Sequence, residues 1–274
     1  MKDKRKAVSF WSRLTALKVL NKLAVIALTR MNIPQTTNSN QLNDSRKAAK
    51  PKQNNLSRQT EKSTQNNNKE LLEILFSKKP STHYLLVWRK EGERKISNYF
   101  SNWNDAQKFA EEKSKEAECY FGLCTSTEIK SKDERIKANE VAGISSLFLD
   151  IDFKSEAHKK QNLPPSENDA LALINKMPVS PSIIVHSGHG FQIFYLFSNF
   201  IEINDEQTRT RISNLSEKWQ RLIKEKAKQF GWDVDSTFDL ARVFRVSNTL
   251  NHKIENDKPV VRVVKHSKLD FIQF

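Results

Sequence analysis

The chain has 274 residues, with 46 Lys and Arg against 32 Asp and Glu for a net charge of +14, and only two cysteines. Two cysteines exclude a disulfide framework and a complete cysteine-rich zinc site, and free thiols fit a reducing, cytoplasmic setting. The length suffices for a sizeable core, and the charge points to anionic partners. That charge is uneven: residues 1–70 hold 15 basic and 4 acidic residues, net +11, and the remainder holds 31 and 28, net +3.

Taken in chain order, residues 1–31 form a basic amphipathic segment. Phe10, Leu14, Leu17 and Ala24 recur at helical spacing, with lysines on other faces. Arg13, Lys18 and Lys22 interrupt the apolar run, so neither a signal peptide nor a transmembrane segment is expected. Residues 32–69 are rich in Asn, Gln, Ser, Thr and Lys and have few large apolar residues, which predicts a disordered polar linker. A folded domain is expected over 70–274.

Within it, Tyr84 to Arg89 and Arg94 to Phe100 read as paired strands. Asn104 is expected to cap a helix running to about Ala117. Cys119 to Thr125 and Gly143 to Phe153 read as strands, with the polar loop Lys154 to Pro165 after them. Ser166 with Asp169 has the spacing of a capping box, opening a helix to about Met177. Two strands follow between Ser182 and Phe197, broken at Ser187-Gly188-His189-Gly190. A long helix is predicted over Asp205 to Phe230, with Ile212, Leu215, Trp219, Leu222 and Phe230 inward and Gly231 as its terminator. Arg242 to Val246 and Val260 to Val264 complete the sheet. The predicted class is α+β, with helices packed on a mainly antiparallel sheet.

Three motifs carry the chemistry. In Leu147-Phe148-Leu149-Asp150-Ile151-Asp152-Phe153, residues two apart share a strand face, so Asp150 and Asp152 project together. Two adjacent carboxylates are costly to bury, and a hard divalent cation, Mg²⁺ or Mn²⁺, relieves that cost. In the hairpin break, glycines allow close approach around Ser187 and His189, and a histidine there can donate to a phosphate oxygen. In Trp232 to Val246, Asp235 supplies a third carboxylate, with Asp233 and Asp239 as alternatives, and Arg242 and Arg245 match phosphate oxygens bidentately.

In this order the motifs resemble the archaeo-eukaryotic primase superfamily, specifically primase-polymerases of plasmids, viruses and mobile elements. The match covers Asp150-Ile151-Asp152, Ser187-Gly188-His189, Val234-Asp235 and the Arg242 to Arg245 strand. Where many mobile-element relatives continue into Pro-Gly-Thr-x-Asn-x-Lys, this chain reads Ser247-Asn248-Thr249-Leu250-Asn251-His252-Lys253. Asn248 tolerates the positive φ that glycine would supply there.

The resemblance implies a sheet with an RNA-recognition-motif-like core. It also implies template-directed nucleotidyl transfer in DNA replication, with single-stranded DNA template and nucleoside triphosphates as partners. Asp150, Asp152 and Asp235 would hold two Mg²⁺ or Mn²⁺ ions, and Ser187, His189, Arg242 and Arg245 would hold the nucleotide. With no Gly-x-x-x-x-Gly-Lys-Ser/Thr loop in the chain, any helicase would act in trans. A catalytically inactive nucleic-acid-binding protein and a metal-dependent nuclease are the alternatives.

The basic tail generates a prediction. Deleting residues 1–69 flattens the salt dependence of single-stranded DNA binding, because phosphate contacts set that slope. Fluorescence anisotropy across a salt series checks it; an unchanged slope would assign the tail another partner.

Overall fold

The computed structural model describes residues 70–266 and Ile272, which belong to one compact unit, Glu70–Phe274. The amphipathic segment expected over 1–31 and the linker over 32–69 lie outside the described residues. The fold is α+β, built on two antiparallel sheets rather than one.

The first sheet has the order β2-β1-β3-β8, formed by β1 (Leu85–Glu91), β2 (Arg94–Phe100), β3 (Glu118–Gly122) and β8 (Val243–Arg245). The second has the order β4-β5-β7-β6-β9. Its strands are β4 (Cys124–Thr125), β5 (Gly143–Asp152), β6 (Ile183–His186), β7 (Gly190–Glu202) and β9 (Arg262–His266). The strand expected over Cys119 to Thr125 is split at Leu123, whose N–H donates to the Arg242 carbonyl at 3.0 Å. The chain passes there from one sheet to the other. The two C-terminal strands likewise close different sheets, β8 beside β3 and β9 beside β6.

Among the described residues, four α-helices accompany the sheets: α1 (Leu71–Phe76), α2 (Trp103–Lys113), α3 (Glu167–Ile174) and α4 (Glu206–Lys228). The cap of α2 is Asn102, not Asn104. Its Oδ1 accepts from Asp105 N–H at 2.9 Å, and its Nδ2 donates to Asp105 Oδ2 at 2.7 Å. Gln107 on this helix is buried and donates its Nε2 to the Ser247 carbonyl at 2.8 Å. Ser166 caps α3 as predicted, accepting from Asp169 N–H.

Helix α4 buries Ile212, Ser216, Trp219, Gln220, Ile223 and Ala227, whereas Phe230, expected inward, is 47% exposed. Two polar residues take that stripe because they brace the irregular segment after the helix. Ser216 Oγ donates to the Phe238 carbonyl at 3.1 Å, and Gln220 Nε2 donates to the Asp235 carbonyl at 2.6 Å. An irregular segment packed on a helix gains from such side-chain partners, because its carbonyls have no ladder to join.

The pleat of β5 and β7 divides the core. Leu147, Leu149 and Ile151 face one side with Ile193 and Tyr195, and Tyr195 meets Trp219 of α4 with ring centroids 4.9 Å apart. Phe148 and Phe194 face the other side, where Phe244 of β8 packs on each at 5.7 Å and Phe121 of β3 lies 6.3 Å from Phe194. This aromatic cluster joins the two sheets. Phe244→Ala should therefore cost about 3–5 kcal/mol in urea unfolding, as for a fully buried aromatic. Phe238→Ala, at a position 37% exposed, should be close to neutral.

Candidate active site

Asp150 and Asp152 lie on the same face of β5 as Phe148, so this strand face changes within one turn of the pleat from aromatic core to open cleft. The cleft encloses ≈470 Å³. It is lined by Asp150, Asp152, Ser187, His189, Asp235, Arg242 and Arg245, so all seven residues singled out in the sequence meet there. Asp239 lines it too, whereas Asp233 does not and instead donates its N–H to the Asn162 carbonyl at 2.6 Å.

Burial raises the Asp150 carboxyl well above the usual carboxylate range, and the Asp152 charge adds to the rise. Arg242 opposes it. Burial raises Asp152 as well, against the charges of His158 and Lys253. Gly190 stands opposite Asp152 in the β5–β7 register, and a Cβ on it would come within 2.8 Å of Asp152 Oδ1. Only glycine leaves this carboxylate its room.

The β6–β7 hairpin is fixed from within and from outside. Ser187 N–H and Oγ both donate to the Gly190 carbonyl, at 2.9 and 3.1 Å, so the Ser187 hydroxyl proton is spent in the turn. Gly188 has φ +105°, and Asn251 Nδ2 donates to the Ser187 carbonyl at 2.5 Å. His189 is only 6% exposed and its Nε2 has no hydrogen-bond partner. Burial, with the Lys253 charge, lowers its pKa below the ordinary histidine value. A neutral imidazole with an unpartnered buried nitrogen at a polar cleft awaits a ligand atom.

Across the cleft, Arg245 is held by Glu118 of β3. Nη2 donates to Glu118 Oε1 at 2.7 Å, and the guanidinium sits 4.8 Å over the Tyr120 ring. Burial would raise the Glu118 carboxyl, but the bond and charge of Arg245 hold it below the usual range. Arg245 Nη1 is buried and unpartnered. Arg242 precedes β8, outside the alternation of the strand, which is how both arginines reach one cleft.

Segment 247–253 ties these walls together. Asn248 takes φ 63°, the positive value its place in the motif required, and bonds Glu70 at 3.0 Å and Glu111 at 3.3 Å. His252 Nε2 donates to the Ser114 carbonyl at 2.6 Å, and Lys253 Nζ lies 3.1 Å from His158 Nδ1.

The sequence reading missed the basic side chains that rest on the acids. His158 Nε2 donates to the His189 carbonyl at 3.0 Å, which sets Nδ1 3.3 Å from Asp152 Oδ2. Lys160 pairs with Asp235. Both sit in the polar loop after β5, where nothing periodic marks them, although their closeness in sequence to Asp152 was a signal. Among the described residues, no three His, Cys, Asp or Glu side chains stand grouped to hold a metal ion. Asp150 and Asp152 nonetheless suit a hard divalent cation, being adjacent, oxygen-only and destabilised by their shared charge.

No family model and no curated protein matches the sequence. Among solved structures the chain is similar to the AEP domain of the cyanophage S-2L primase-polymerase, at 12% identity and a TM-score of 0.44, over 69% of this chain and 85% of that one. It is also similar to the primase RepB′, at 9% identity and a TM-score of 0.38, over 67% of this chain, and it spans about half (51%) of that one.

Proposed function

We propose that the folded domain is a template-directed primase-polymerase that transfers nucleotidyl groups from nucleoside triphosphates. One observation carries the reading. A half-buried carboxylate pair, Asp150 and Asp152, shares a single cleft with two arginines and an unpartnered buried histidine. The order of the motifs in the sequence supports it independently.

Each side chain has a role in this reading. Asp150 and Asp152, joined by Asp235 once it leaves Lys160, hold Mg²⁺ or Mn²⁺. Such ions lower the pKa of an attacking 3′-hydroxyl and neutralise a leaving pyrophosphate. His189, neutral, offers its Nε2 proton to a phosphate oxygen. Arg245 Nη1 and the Arg242 guanidinium brace the triphosphate and stabilise charge as it moves to the leaving group. The Ser187 turn and Asn251 keep the hairpin, and hence His189, in place. Lys160 pairs with Asp235 while no substrate is bound, and His158 keeps its contact with Asp152.

Incubation with primed and unprimed single-stranded template, Mn²⁺ or Mg²⁺ and labelled nucleotides tests the activity. The parent chain should incorporate nucleotide, and Asp150→Asn and Asp152→Asn should abolish incorporation. Both variants should melt no lower than the parent without metal, because each removes half of a mutually repelling, half-buried pair. Near-normal incorporation by either variant would remove the pair from the mechanism.

The arginines separate on stability. Arg242→Ala should raise KM for nucleoside triphosphate or lower turnover roughly ten- to a hundredfold, with only a small loss of stability as Asp150 loses an opposing charge. Arg245→Ala should show the same kinetic loss and also lose about 1.5–3 kcal/mol of stability, because Glu118 is left unpaired. Adding Glu118→Gln should recover stability without recovering the kinetics. A large loss of DNA affinity with unaltered nucleotide kinetics would place both arginines on a template surface instead.

A further inference from the structure

The cleft-facing side of the first sheet carries a row of side chains that crosses all four strands. The register sets Ser97 of β2 opposite Trp88 of β1, Trp88 opposite Tyr120 of β3, and Tyr120 opposite Arg245 of β8. Trp88 and Tyr120 are both half-buried, and their ring centroids are 5.3 Å apart. The exposed Arg135 lays its guanidinium 5.4 Å over the Trp88 ring. Trp88, Tyr120 and Arg135 all line the cleft.

The neighbouring row on the same face reads Lys95, Lys90 and Glu118. Glu118 is committed to Arg245, so its charge is already answered. Lys90 and Lys95 stand directly opposite each other, and like charges so placed are unfavourable until an anion lies between or beside them.

An aromatic pair in the middle of an open antiparallel sheet, bordered by lysines, matches what a single-stranded nucleic acid needs. Its bases stack on rings and its phosphates follow cations. The row also runs without a break to Arg245, which lines the cleft and whose Nη1 has no hydrogen-bond partner. An isolated nucleotide would leave the outer lysines unused, whereas a strand leaving the cleft over the sheet would use both ends of the surface.

We infer that Trp88 and Tyr120, with Arg135, form a stacking platform for a base of the single-stranded template, and that Lys90 and Lys95 take its phosphate backbone. The inference rests on the proposed function for the word template; the platform itself is tested by binding alone.

The experiment measures binding of a fluorescent homopyrimidine DNA oligonucleotide to the full chain across a salt series, without metal or nucleotide. Trp88→Leu, which keeps an apolar side chain on the sheet, should weaken binding roughly 5- to 100-fold at every salt concentration and leave the slope unchanged. Trp88→Phe should restore most of the affinity. Lys90→Ala with Lys95→Ala should instead flatten the slope. Thermal melts accompany each variant, and Arg135→Ala, a change at an exposed position, should also weaken binding if Trp88→Leu proves unstable. Unchanged oligonucleotide affinity in Trp88→Leu and Arg135→Ala would overturn the platform, and a raised KM for nucleoside triphosphate in the same variants would give the rings to the incoming base. If the parent chain incorporates no nucleotide while Trp88→Leu still weakens binding with an unchanged slope, the platform stands and the enzymatic reading fails.

Discussion

One strand face governs the molecule. Side chains alternate across β5, so Phe148, Asp150 and Asp152 share a side. At Phe148 that side is covered by Phe244, and beyond it the cover stops. The same edge that closes the aromatic core therefore opens the cleft. On β8 the alternation separates the two roles between adjacent residues, with the Phe244 ring turned inward to the core and the Arg245 guanidinium on the opposite face, over Tyr120. Packing the cluster fixes how far the arginine wall stands from the acids, so stability and site geometry rest on the same contact.

The electrostatics follow from that placement. A carboxylate pair at the mouth of an apolar core is unfavourable unless opposite charge is near. The chain meets the need in two ways. Arg242, Lys253 and His158 lie close enough to lower the cost, and Lys160 holds Asp235 beside them. None of these cations enters the core, and most lie on irregular segments that can rearrange more readily than a strand. Positive charge that offsets the acids in the empty cleft is thus available to meet phosphates when a substrate enters.

Much of this was legible in the sequence because strand alternation and turn chemistry are local. The shared face of Asp150 and Asp152, the hairpin at Ser187 to Gly190, the Ser166 cap and the positive φ of Asn248 each follow from a few neighbouring residues. What escaped was non-local. A split at Leu123 sends one apolar run into two sheets, and no periodicity announces it. Asn102 and Asn104 offer the same capping chemistry two residues apart, and only the structure shows that the helix starts at Trp103 behind Asn102. Phe230 falls past the end of α4 at Lys228 and stacks on Trp232 with ring centroids 4.8 Å apart, so it has no place on the buried stripe. The partnership of Glu118 with Arg245 spans 127 residues and leaves no mark in either local sequence.

The central claim is that the carboxylate pair and the arginine wall act on one ligand. Calorimetric titration of Mn²⁺ in the presence and absence of a non-hydrolysable nucleoside triphosphate tests it most directly, in the parent chain and in Asp150→Asn. If the two walls share a ligand, nucleotide tightens Mn²⁺ binding, Mn²⁺ tightens nucleotide binding by the same factor, and the substitution abolishes both effects. Nucleotide that binds equally well without Mn²⁺ and to Asp150→Asn would contradict the account.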